Sequence, residues 1–69
     1  MDRKLLPTTI VELLERNGAL KLDDLLKMAV KRHMHLTEPE LSKYLMRMEI
    51  HGLVKVYRIP RGKQRVELT

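Results

Sequence analysis

The stretch LSKYLMRMEIHGLVKVYRI, residues 41 to 59, contains a change of hydrophobic period that decides the fold. In its first half, four apolar residues recur at helical spacing and form one stripe: Leu41, Tyr44, Leu45 and Met48. Gly52 is a helix stop signal, and from Leu53 onward apolar and polar residues alternate as they do in a β-strand. The stretch therefore predicts a helix that passes through a tight turn into a strand.

The helix in this stretch is predicted to cover residues 38 to 51, because Thr37 and Glu40 have the spacing of a capping box. Downstream, LVKVYRI and RVELT are two short strands joined by PRGKQ. Pairing Ile59 with Arg65 places four apolar residues on one face of this hairpin: Val54, Val56, Val66 and Leu68. We expect that register because it gives the hairpin one buried face.

Two more helices are predicted upstream. The first runs from about 9 to 17, with a capping box at Thr9 and Glu12 and a stop at Asn17 and Gly18. The second runs from about 22 to 33 and carries a full amphipathic stripe: Leu22, Leu25, Leu26, Ala29 and Val30. Between them, Ala-Leu-Lys at 19 to 21 has the length of a brief edge strand. The predicted class is α+β, mainly helical, with a C-terminal two-stranded hairpin.

The composition limits the class of protein. A chain of 69 residues forms one small domain, here 1–69, of which we expect 1–7 to be a loose N-terminal arm. The absence of cysteine excludes disulfides and cysteine-based zinc sites. No apolar run approaches the roughly 20 residues that span a bilayer, and no signal peptide is evident. We therefore expect a cytoplasmic protein that does not associate with membranes, bound to the nucleoid if the cell is prokaryotic.

The net charge of +5 is distributed unevenly along the chain. Residues 1 to 40 contain seven Lys and Arg and seven Asp and Glu, so their charges cancel. Residues 41 to 69 contain seven cations but only two acids, Glu49 and Glu67. Because the whole excess lies on the last helix and the hairpin, an anionic partner explains it better than general solubility does.

Neither catalysis nor metal binding is indicated. No nucleophile and base can be paired, and so small a chain leaves little room for a substrate cleft. His33 and His35 have a spacing that can bind a metal, but no patterned acids accompany them. We expect no enzyme activity, no metal and no cofactor.

Helix, brief connection, helix, turn, helix and basic hairpin is an order that resembles the winged helix-turn-helix superfamily. The residues that carry the resemblance are LSKYLMRMEIHGLVKVYRI, followed by RGKQRVELT as the wing and its return strand. The resemblance covers residues 8 to 69. The size and charge of the chain are similar to those of small archaeal-type transcriptional regulators. Two features depart from the pattern. The turn KRHMHLTEP is long, and Met46 and Ile50 are apolar where a DNA-facing helix usually carries polar residues.

The resemblance implies double-stranded DNA binding, with transcriptional regulation as the expected role. The third helix would then place Ser42, Lys43 and Arg47 in the major groove. The wing would set four cations on the flanking backbone or minor groove: Arg58, Arg61, Lys63 and Arg65. Lys31 and Arg32, at the end of the second predicted helix, would add phosphate contacts.

Other readings of the same residues stay open. The cations of helix 3 can be an ordinary solvated face, and charged hairpins also protect sheet edges from aggregation. Met46 and Ile50 lie one turn apart and can form an apolar surface for a homodimer or a protein partner. A winged helix that docks proteins in a larger transcription, replication or membrane-remodelling complex is the main alternative. Binding of RNA through the same basic face is a third.

Overall fold

The computed structural model describes residues 3 to 69, which form an α+β domain, as predicted. Its elements, in chain order, are α1 (Leu6–Asn17), β1 (Leu20–Lys21), α2 (Leu22–Ala29), α3 (Glu38–Ile50), β2 (Val54–Ile59) and β3 (Lys63–Leu68). A single 3-10 turn, Pro60–Gly62, joins β2 to β3. No helix within the described range is long and apolar enough to cross a bilayer.

The sheet has three antiparallel strands in the order β1-β3-β2, so the predicted two-stranded hairpin gains a third strand. Residues 19 to 21, which have the length of a brief edge strand, contain β1, where Leu20 lies opposite Val66. This pairing brings the connection between α1 and α2 onto the sheet. The sheet is therefore built from both halves of the chain.

The predicted hairpin register is wrong by two residues. Ile59 pairs with Lys63 rather than with Arg65, because the loop contains only Pro60–Gly62. Arg61 and Gly62 both adopt positive φ, at 70° and 72°, and this lets the chain reverse in three residues. Since side chains alternate with a period of two, an even shift leaves the predicted face intact. Val54, Val56, Val66 and Leu68 still point to the core.

The boundaries of α1 and α2 differ from the prediction. α1 begins at Leu6 with Pro7 in its first turn, so Thr9 lies inside the helix and the predicted capping box with Glu12 is wrong. The stop at Asn17 is confirmed, and Gly18 has a φ of 74°. α2 ends at Ala29, four residues before the predicted end.

The early end of α2 has a local cause. After Ala29 the backbone hydrogen bonds span three residues instead of four, since Lys31 N donates to Met28 O and Arg32 N donates to Ala29 O. A turn follows that continues to His35, whose positive φ of 64° redirects the chain. Leu36 is then buried in the core just before α3 begins.

The prediction for α3 is confirmed to within one residue at its end. Thr37 caps it, because its side chain accepts a hydrogen bond from the Glu40 backbone N at 3.4 Å. The Glu40 carboxylate pairs with Arg3, and a hydrogen bond with the Thr37 backbone also lowers its pKa, as the reciprocal half of a capping box would. Thr37 and Glu40 together therefore mark the start of this helix.

The core lies between the three helices and one face of the sheet. Twelve hydrophobic residues are buried there: Leu6, Ile10, Leu14, Leu22, Leu25, Ala29, Leu36, Leu41, Leu45, Met48, Val54 and Val66. Leu6 is fully buried although it belongs to the segment expected to be a loose arm. The first two residues of that predicted arm lie outside the described residues.

Candidate nucleic-acid interface

The exposed side of α3 is set by three buried anchors, Leu41, Leu45 and Met48. Their burial places Lys43 and Arg47 in solvent, one turn apart on the same side of the helix. Ser42 is half-buried at the edge of this surface. α3 thus offers two exposed cations and a hydroxyl within two turns, which is enough to contact phosphates or base edges.

Arg47 has a defined local contact. Its guanidinium carbon lies 5.7 Å from the ring centroid of Tyr44, at a distance suitable for a cation–π interaction. The same tyrosine accepts a hydrogen bond through its hydroxyl from the backbone N of Arg3, at 2.9 Å. The Tyr44 ring therefore packs against the Arg47 guanidinium, and the Arg47 side chain remains exposed.

The hairpin separates its cations onto two faces. Arg58 pairs with Gln64 and lies on the face that continues from Val56, the side of the sheet that α3 occupies. Lys63 and Arg65 project from the opposite face, because they alternate with the buried Val66. Arg61 lies at the tip. The four predicted wing residues are all exposed, but they do not form one surface.

A groove lies between α3 and the hairpin. It is lined by Ser42, Leu45, Met46, Glu49, Val56 and Gln64. Glu49 closes one end, since its carboxylate accepts a hydrogen bond from the backbone N of Val56 at 3.4 Å. This contact ties the end of α3 to the open edge of β2. Arg58 lies opposite the lining residue Gln64 on the sheet, whereas Lys43 and Arg47 do not line this groove.

Lys31 and Arg32 lie in the turn after α2 and not on the helix, where they were expected. Arg32 Nη1 is 2.6 Å from Glu12 Oε2 on α1, and both side chains are about half exposed. The Arg32 guanidinium lowers the pKa of Glu12 below its ordinary value, mainly through this hydrogen bond. Arg32 thus stabilises the contact between two elements away from the groove, whereas Lys31 is exposed.

Glu40, an acid in the first turn of α3, is also paired. Arg3 Nε lies 2.6 Å from Glu40 Oε2, and this hydrogen bond lowers the pKa of Glu40. The carboxylate therefore stays ionised, but the guanidinium balances its charge. As a result, the N-terminal end of α3 is less repulsive to an anion than the sequence suggests.

His33 contributes to the packing of the turn after α2. His33 Nε2 lies 2.9 Å from Thr9 Oγ1, which joins the turn after α2 to α1. Across residues 3 to 69, no group of three or more His, Asp or Glu side chains is arranged to hold a metal ion.

Two further cations, Lys21 and Lys55, were not among the predicted site residues. Lys21 on β1 lies opposite Arg65 on β3, and Lys55 on β2 lies opposite Glu67 on β3. Both are exposed on the face of the sheet that points away from the helices. The alternation in LVKVYRI was sufficient to orient Lys55, but Lys21 required knowledge that β1 joins β3.

Comparisons with other proteins do not assign the chain. No family model matches it, and no curated protein is significantly similar to it in sequence. The fold and the distribution of charge therefore carry the functional argument.

Proposed function

We propose that the chain is a winged helix-turn-helix domain that binds double-stranded DNA as a transcriptional regulator, and that it is not an enzyme. α3 would enter the major groove with Ser42, Lys43 and Arg47 toward the base edges. The hairpin would act as the wing on the adjoining backbone or minor groove, with Arg58 and Arg61 foremost.

The observation that carries this proposal is the exposure of cations on both α3 and the hairpin. Lys43 and Arg47 are exposed on α3, and Arg58 is exposed on β2, on the side of the sheet that α3 occupies. The acids of α3 close to them have other partners: Glu40 pairs with Arg3, and Glu49 accepts from the backbone of Val56. An anion that approaches the exposed side of α3 therefore meets Lys43 and Arg47.

The element order supports the same class. Helix, short strand, two helices and a hairpin whose return strand pairs with the short strand is an arrangement compatible with a winged helix. Because folds of this kind serve many functions, the charge of the exposed residues and not the topology supports DNA as the ligand.

The test is a titration of a fluorescent mixed-sequence duplex at roughly 50 to 200 mM salt. We expect the logarithm of the association constant to fall linearly with the logarithm of the salt concentration, with a slope of about −0.9 per phosphate neutralised. Absence of binding at the lowest salt would rule the proposal out. Duplex RNA added as a competitor distinguishes the two nucleic acids, since DNA binding through the major groove predicts weak competition.

Single substitutions then locate the interface. Arg47→Ala and Arg61→Ala should each weaken binding, because both side chains are exposed on the proposed surface. Arg16→Ala is the matched control, since Arg16 is an exposed arginine in the last turn of α1 and changes the net charge equally. Equal losses for all three variants would indicate a general charge effect and no defined site.

The exposed apolar residues of α3 favour protein docking as a second candidate. Met46 and Ile50 are 62% and 76% exposed, so α3 is oriented about its axis with both side chains in solvent. A double substitution, Met46→Ser with Ile50→Ser, should abolish docking or dimerisation but leave DNA binding nearly unchanged. Leu5→Ser with Met34→Ser is the control, because these residues are similarly exposed elsewhere. Light scattering of the wild type and both variants reports dimerisation directly.

A further inference from the structure

The side of the sheet that faces away from the helices is a second basic surface. Its centre is a cross-strand row in which Lys21 on β1 lies opposite Arg65 on β3, which in turn lies opposite Tyr57 on β2. Directly opposed residues point to the same side of a sheet. Since Leu20, Val66 and Val56 pack toward the core, their neighbours in this row all point outward.

We define the outer sheet face by its four exposed cations, Lys21, Lys55, Lys63 and Arg65. Two acids border it. Glu67 accepts a hydrogen bond from the Tyr57 hydroxyl at 3.0 Å, and Asp24 lines a shallow groove with Lys21 and Arg65. The cations outnumber these acids, so the face retains a positive charge.

The outer sheet face and α3 lie on opposite sides of the sheet. The buried side chains that face α3 alternate with the cations that face outward. Lys63 is next to the hairpin loop and can reach a duplex that the loop already touches. Lys21 and Lys55, in contrast, are at the base of the sheet, where the sheet and the core separate them from α3. A rigid duplex seated on α3 therefore leaves these two lysines free.

We propose that the outer sheet face binds the phosphate backbone of a second DNA duplex, so that one molecule joins two DNA segments. This inference rests on the proposed function. Lysines are point charges that suit phosphates without reading bases. The second contact is accordingly independent of sequence and sensitive to salt.

The test uses the whole chain and two duplexes. One duplex is fixed to beads and the other is fluorescent and free in solution, so that captured fluorescence measures bridging. Binding to a single free duplex is measured in parallel by anisotropy. The test variant is Lys21→Gln with Lys55→Gln, and the matched control is Lys4→Gln with Lys27→Gln. The control removes two exposed lysines away from the sheet.

We expect the wild type and the control to capture the free duplex. The Lys21 and Lys55 variant should lose capture but keep its single-duplex affinity close to that of the control. Circular dichroism of the two variants checks that both are folded.

Three results would overturn the inference. Single-duplex binding without capture by the wild type refutes bridging and leaves the proposed function intact. Capture that survives in the Lys21 and Lys55 variant refutes the outer sheet face as the second site, and it points to dimers joined through Met46 and Ile50. Absence of any duplex binding refutes bridging together with the proposed function.

Discussion

Arg3 Nε donates to Glu40 Oε2 at 2.6 Å and so ties the segment before α1 to the first turn of α3. The backbone N of Arg3 donates to the Tyr44 hydroxyl at 2.9 Å, one turn further along the same helix. Both side chains of the ion pair are mostly buried, with 12% and 24% exposed. The pair holds Arg3, just before α1, against α3 and balances a carboxylate on the helix proposed to meet DNA.

Replacing Arg3 with alanine should weaken DNA binding, although Arg3 is not among the residues placed on the DNA. The substitution leaves the Glu40 carboxylate unpaired near the end of α3 that approaches phosphates, and like charges repel. Adding Glu40→Gln should restore the affinity, because it removes the repelling charge. Duplex titrations of the wild type, the single variant and the double variant measure both effects.

Failure of Glu40→Gln to restore binding would contradict this role for the pair. In that case Arg3 would act as a direct contact or through the position of α1. Thermal unfolding of the same proteins separates a loss of folding from a loss of affinity.

Acid should destabilise the fold through Glu12 and Glu40. Hydrogen bonds from Arg32 and Arg3 lower the pKa of each carboxyl below its ordinary value of 4.5. A pKa that is lower in the folded state than in the unfolded state contributes stability above the unfolded value. That contribution is lost as the pH falls through the folded value.

The expected result is a free energy of unfolding that decreases between about pH 5 and pH 2, measured by urea denaturation at a series of pH values. The double variant Glu12→Gln with Glu40→Gln should show a flatter profile over that range. Glu15→Gln with Glu38→Gln is the control, since both of these glutamates are exposed. An identical profile for the wild type and the Glu12 and Glu40 variant would contradict the assignment.

Arg61 should destabilise the fold and strengthen DNA binding. Its backbone lies in the left-handed region, at φ 70° and ψ 28°, which is unfavourable for a residue with a side chain. Glycine at this position should stabilise the protein by about 0.5 to 1 kcal/mol, after its larger entropy in the unfolded chain is subtracted. In a domain of this size, 1 kcal/mol raises Tm by about 4 to 8 °C.

Arg61→Gly should therefore raise Tm and weaken duplex binding, whereas Arg61→Ala should weaken binding without raising Tm. Calorimetry and the duplex titration measure the two properties separately. If Arg61→Gly bound DNA as well as the wild type, the strained arginine would have no part in recognition.

The Thr9 hydroxyl should contribute to stability through His33. It is 4% exposed, donates to Leu5 O at 3.1 Å and lies 2.9 Å from His33 Nε2. Because its one proton goes to the carbonyl, the imidazole nitrogen is the donor in the second bond. Thr9→Val keeps the shape but removes both bonds, and we expect a loss of about 1 kcal/mol.

A double-mutant cycle isolates the contact with His33. In a His33→Ala background, Thr9→Val should cost less than in the wild type, as measured by urea denaturation. Additive losses would show that the two side chains do not stabilise each other.

Local patterns predicted some elements well and others poorly. The stripe of Leu41, Leu45 and Met48 defined α3 correctly, because helical periodicity and burial agree there. Thr9 and Glu12 had the spacing of a capping box, yet Pro7 and the buried Leu6 started α1 earlier. A side chain that can cap a helix can also bond within it, and only packing distinguishes the two.

The amino-acid sequence by itself determined the α+β class, the location of α3, the inward face of the hairpin and the basic C-terminal segment. Each of these follows from periodicity or charge over a few neighbouring residues. Only the tertiary structure decided which face each cation occupies and which acids are neutralised. The cross-strand position of Lys21 opposite Arg65 and the ion pair of Arg3 with Glu40 each join residues that are far apart along the chain. No local pattern encodes such contacts, because they exist only after the elements pack around a common core.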